Sequence, residues 1–128
     1  MIAPPPVLVH LVSAEDWERA KADGQHRPPS LKATGFVHLS APAQVHLPAN
    51  RLYAGRIDML LLWCDPARFD GPVRWEPGVP TDPQSMLFPH LYGALPIAAV
   101  VDVSSYLPGA DGTFAALPED QSGAPSVR

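Results

Sequence analysis

Three histidines sit among strand-forming apolar residues: His10 in Val9-His10-Leu11-Val12, His38 in Phe36-Val37-His38-Leu39-Ser40, and His90 in Phe88-Pro89-His90-Leu91-Tyr92-Gly93. An imidazole on a strand is half buried, so it needs a hydrogen-bond partner or a ligand. Histidine is also the side chain whose proton moves most readily near neutral pH. Three from separated segments predict a shared polar cleft on an otherwise apolar sheet. Residues two apart on a strand share a face. Phe36, His38 and Ser40 therefore form one row of ring, imidazole and hydroxyl, while Val37 and Leu39 face the core. His90 and Tyr92 share a face by the same rule, and Gly93 beside them permits close approach of a backbone or ligand. Simpler roles compete: His38 could bond a neighbouring carbonyl, and Ser40 could cap the helix that starts near Pro42. His26 and His46 fall in loop and helix-face contexts and are expected to be solvated. Trp17, Trp63 and Trp75 read as core or rim packing.

The elements that must position these residues follow from periodicity and punctuation. Residues 7–12 read as a strand. Ser13, with Asp16 three residues on, offers an N-cap. A helix follows over residues 14–22, and Gly24 ends it. Residues 25–34, containing Pro28-Pro29, read as a loop. A short strand covers residues 36–40, and a helix with Pro42 in its first turn covers 42–54. The apolar run over residues 58–64 reads as a central strand. Strands are expected at 73–76, 87–92 and 97–103, with a proline-rich loop over 77–86. This order predicts an α+β fold with a mixed, mainly antiparallel, curved or split sheet and two early helices. No Gly-rich phosphate loop supports a doubly wound nucleotide fold.

The chain of 128 residues suits one domain with a real core. That domain is placed at residues 7–106, with residues 1–6 as an extended lead and 107–128 as a flexible Pro/Gly-rich tail. The 17 prolines cluster in the lead, loops and tail and leave the periodic segments intact. A net charge of −4 argues against a nucleic-acid surface built on bulk basicity. The single cysteine, Cys64, cannot form an internal disulfide, which fits a reducing cytoplasmic setting. No apolar run approaches the length of a membrane span, and no signal peptide is apparent. The expected partner is a small molecule or nucleotide; oligomeric state is left open.

At these residues the chain resembles the bacterial domain of unknown function 952 family. The resemblance runs from about His10 to Val103. It rests on the early His10-Leu11 strand, Trp17, Gly24, Pro29-Ser30-Leu31, Gly35-Phe36-Val37-His38-Leu39-Ser40 with Gln44, and Asn50-Arg51. Leu60-Leu61-Leu62, Asp65-Pro66, Val73-Arg74-Trp75-Glu76, Phe88-Pro89-His90-Leu91-Tyr92-Gly93 with Leu95-Pro96, and Ala99-Val100-Val101 complete it. The resemblance implies an ADP-ribosyltransferase-like fold, in which a triad spread over three strands binds NAD. By segment order His10 matches the histidine that holds a ribose hydroxyl, and Ser40 the hydroxyl residue of the nicotinamide-ribose pocket. Glu76 or His90 takes the third place. The His-Gly-Thr usual after the first strand reads here His10-Leu11-Val12.

Such a site must fix the ribose, stack the nicotinamide and stabilise a developing cation. Under this reading His10, Phe36, Ser40, Tyr92 and Arg51 bind the cofactor, with Arg51 or Arg56 on a phosphate. His38, His90 and Glu76 are the candidate catalytic groups. NAD is the possible cofactor, and no metal is expected. Three alternatives stand beside it. His10, His38, His90 and Glu76 could ligate a metal, although no metal-motif spacing is present. The cleft could bind a ligand without turnover. The histidines could also serve acid–base chemistry on a small biosynthetic metabolite.

Overall fold

The computed structural model describes residues 7–78 and 85–117. Strand β1 (Leu8–Ser13) pairs antiparallel with β4 (Met59–Cys64), and β4 pairs antiparallel with β8 (Val100–Ser105), so β4 is central. A second antiparallel sheet has the order β3 (Val37–His38), β6 (Leu87–Leu91), β5 (Val73–Pro77). β2 (Gln25–His26) and β7 (Leu95–Pro96) form a small pair of their own. Ser40 joins the two larger sheets through a backbone bridge to Val9, with bonds of 2.8 and 2.9 Å. The expected α+β architecture with split antiparallel sheets is the one observed.

Strand alternation divides the core. Val7, Val9, Met59, Leu61 and Trp63 pack on one side with Val45, Ala49, Tyr106 and Phe114. Leu8, Val12, Leu62 and Cys64 pack on the other with Val37, Leu39, Leu91 and Leu95. β4 is buried on both faces, which explains its unbroken apolar run. Helix α1 (Ala14–Asp23) starts at Ser13, whose hydroxyl accepts from the Asp16 amide at 3.1 Å. It ends at Gly24, whose φ of 82° suits glycine.

Four expectations need correction. Residues 25–34 are not a loop: they contain β2 and helix α2 (Pro29–Thr34). Pro29 occupies the first helical position and Gly35 closes the helix in the left-handed region. With α3 (His46–Tyr53) the described residues thus hold three α-helices rather than two. The 42–54 helix is split into a 3-10 turn, Pro42–Gln44, and α3. Pro48 is tolerated because it lies in the first turn, where amides lack helical partners. The 97–103 strand begins only at Val100, after a 3-10 turn over Ile97–Ala99. Finally, the chain beyond residue 106 is not a loose tail as far as it is described. Phe114 is 2% exposed in the core, and Asn50 bonds both its amide (2.6 Å) and its carbonyl (2.9 Å). Residues 1–6 and 118–128 lie outside the described residues.

Candidate functional site

In β1 the residues Leu8, His10 and Val12 share a face, so one imidazole interrupts an apolar row. The His10 ring is 7% exposed. Its Nδ1 lies 2.7 Å from the main-chain oxygen of His38. A carbonyl only accepts, so Nδ1 carries the proton and Nε2 keeps its lone pair. Burial, reinforced by the nearby His26, pushes the His10 pKa down to about 3, against the opposing pull of the His38 carbonyl. His10 is therefore a neutral ring of fixed tautomer.

The second sheet builds the other half by register. His38 faces His90, and His90 faces Arg74, in one row across β3, β6 and β5. Glu76, two residues beyond Arg74, falls diagonal to His90. Its Oε1 lies 2.8 Å from His90 Nδ1 and accepts the Tyr92 hydroxyl at 2.6 Å. The Tyr92 hydrogen bond first, and that of His90 second, hold the Glu76 carboxyl below its ordinary pKa. An ionised carboxylate accepts only, so His90 donates through Nδ1 and again leaves Nε2 for the cleft. The Phe36 ring stacks on His90 with centroids 3.9 Å apart and planes at 12°. The Arg74 guanidinium lies 5.1 Å above the Tyr92 ring. Gly71 is needed at this corner because a Cβ there would collide with the Tyr92 carbonyl oxygen.

Between these halves lies a cleft of about 630 Å³ lined in part by His10, His26, His38, Ser40, Arg51 and His90. Ser40 is 5% exposed. It caps no helix; the Gln44 side chain accepts from Ala41 at the 3-10 turn instead. His38 is exposed, and its pKa is lowered by burial of its ring environment, then by His90 and Arg51. Arg51, in the last turn of α3, has no ion pair or hydrogen bond among the described residues. Arg56 is held by Asp58 at 2.9 and 2.5 Å, so Arg51 is the better placed to meet an anion.

Of the sequence-predicted residues, His10, His38, Ser40, Arg51 and His90 come together in the cleft lining. Phe36, Glu76 and Tyr92 stand behind His90 and hold it. Phe36 and Tyr92, expected to bind the cofactor, are not in the cleft lining, and one Phe36 ring face is stacked on His90. Gly93 packs near the Gly71 backbone. Trp75 is 39% exposed and does not line the cleft. The expectation that His26 is solvated is also corrected. Its ring is 8% exposed, lies 5.0 Å from that of His10 and lines the cleft. Among the described residues no group of three or more His, Cys, Asp or Glu is arranged to hold a metal, and no helix is long and apolar enough to cross a membrane.

No curated protein matches this chain. Among solved structures it is similar to the crystal structure of protein CC0527 from Caulobacter crescentus, at 27% identity and a TM-score of 0.73 over 85% of this chain and 93% of that one. The solution NMR structure of the same protein gives 27% identity and a TM-score of 0.72, over 85% and 91%. Residues 11–103 match the family described as "Protein of unknown function (DUF952)", and the chain belongs to that family.

Proposed function

We propose that the cleft binds NAD or a related nucleotide and that His90, held by Glu76, acts there as a general acid or base. The carrying observation is the contact of His90 Nδ1 with Glu76 Oε1 at 2.8 Å, which orients the ring and leaves Nε2 for a ligand. A carboxylate behind an imidazole favours one tautomer and stabilises the imidazolium that forms when Nε2 takes a proton. The cleft volume lies in the range that takes small ligands, and the residues around it suit a nucleotide. His10 and Ser40 would hold hydroxyls, and Arg51 would meet a phosphate. When bound, NAD supplies an activated ribosyl carbon with a neutral leaving group. His90 would then take a proton from an attacking hydroxyl or water. The ADP-ribosyltransferase-like assignment is the finer form of this proposal, supported by the order of His10, Ser40 and the Glu76–His90 pair along the chain.

Glu76 departs from a direct role in that chemistry. Its Oε1 is engaged by both His90 and Tyr92, so it works through the imidazole. The same observation favours a second reading, in which the cleft binds the nucleotide without turnover. Thermal shift with NAD and ADP-ribose, together with nicotinamide release, separates the two. The proposal expects a raised melting temperature with either nucleotide, and release that His90→Gln removes while ADP-ribose still binds. Binding without release selects the second reading; no shift and no release reject both.

A further inference from the structure

His26 brings to the cleft an imidazole with no hydrogen bond to another described residue. The residue is 8% exposed, and what its ring nitrogens show is open to the cleft rather than spent on the described residues. His26 is not sealed in the core either: it lines the cleft, beside His10 at 5.0 Å between ring centroids and a 52° tilt. Its backbone pairing, β2 with β7, sets Gln25 against Pro96 and His26 against Leu95, an apolar neighbour that offers no side-chain partner.

We infer that His26 is a ligand-binding residue, forming with His10 a two-imidazole subsite that receives an uncharged group able both to donate and to accept hydrogen bonds, such as a carboxamide or a pair of hydroxyls. The chemistry follows from the two rings. His10 spends its proton on the His38 carbonyl, so toward the cleft it can only accept. The His26 ring has one donor and one acceptor nitrogen, both uncommitted. Burial lowers the His26 pKa, against the pull of Asp16, and lowers that of His10 further, so neither ring brings a charge. An anionic group gains nothing there and belongs instead near Arg51. The subsite rests on the proposed nucleotide reading and adds to it: one end of the ligand is uncharged and polar, the other anionic.

The test uses the full chain and three probes, ADP-ribose, inorganic pyrophosphate and Zn²⁺. His26→Phe keeps the ring volume and removes both nitrogens. It should weaken ADP-ribose by about tenfold, the size of one lost hydrogen bond, and leave pyrophosphate unchanged. His26→Gln, which restores a donor and an acceptor, should recover part of the loss. Should His26→Phe fail to fold, the wild-type imidazole ¹⁵N resonances decide, because ADP-ribose must move those of His26. Unchanged ADP-ribose affinity in His26→Phe, or still resonances on binding, overturns the subsite while the nucleotide reading stands. No binding of ADP-ribose at all overturns both. Resonances that move with Zn²⁺ and not with ADP-ribose replace the subsite by a metal site.

Discussion

The two sides of the β1–β4 pair use the same strands to opposite ends. On one side Val9, Leu61 and Trp63 meet Val45, Ala49 and Phe114 in an apolar cluster. On the other, Leu8 and Val12 do the same with Val37 and Leu91, but His10 stands between them and faces a cleft. A single position in the alternation turns a packing surface into a site. The difference is visible in how polar atoms are treated. On the apolar side Trp63 Nε1 donates to Ser104 at 2.8 Å, and the Tyr106 hydroxyl to the Ala115 carbonyl at 2.8 Å. The cleft side fixes one nitrogen of His10 and of His90 and leaves the other open.

The sharpest way to break this comparison is to damage each side separately. Leu61 is 1% exposed, so Leu61→Ala should cost about 2–5 kcal/mol in denaturant unfolding, with ligand affinity of the folded protein unchanged. A selective loss of binding would mean the sides are not independent. Arg51→Gln should do the reverse. Removing one charge-assisted bond should weaken ADP-ribose and pyrophosphate alike by about 10–100-fold in calorimetry and leave the melting temperature in place. Asn50→Ala removes both bonds to Phe114 and should cost about 1–3 kcal/mol. An unaffected midpoint would show that residues 107–117 add nothing to the apolar side.

How much of this the sequence disclosed varies with the range of the cause. Local signals were readable: Ser13 and Gly24 mark α1, and the apolar run 59–64 marks the central strand. The row of Phe36, His38 and Ser40 was also visible, because alternation depends only on neighbours. The Glu76–His90 contact was not. It depends on the β5–β6 register, and the nine residues between Pro77 and Leu87 carry no short-hairpin signal that would fix that register from sequence. His26 was hidden for a related reason: β2 is two residues long and is made by pairing with β7, some seventy residues away. The signal for α2, Pro29 with Gly35, is present in the sequence but is obscured by the Pro28-Pro29 doublet. Phe114 is an isolated aromatic in a Gly- and Pro-rich stretch, where composition points away from packing.

A subtler difference between the sides is their response to acid. Three cleft histidines, His10, His26 and His38, have pKa values lowered from 6.5, His10 to about 3. The unfolded chain takes up protons below about pH 6.5 while the folded chain resists until much lower. Stability is thus fully present above pH 6.5 and declines as pH falls toward 3. Glu76, lowered from 4.5, adds to the decline below that value. Melting temperature against pH should show this slope, and His10→Gln should flatten it. An equal slope in both proteins would place the acid sensitivity elsewhere.

The central claim is that the cleft histidines serve a ligand rather than the fold. His38→Ala and His90→Ala, measured side by side for melting temperature, ADP-ribose affinity and nicotinamide release from NAD, test it most directly. The account predicts variants that still fold, with exposed His38→Ala melting near the parent and buried His90→Ala somewhat earlier, weaker binding in both, and turnover lowered by about 10²–10⁴-fold in His90→Ala. Early melting in both variants, with normal binding and release by the protein that remains folded, would make these imidazoles structural and contradict it.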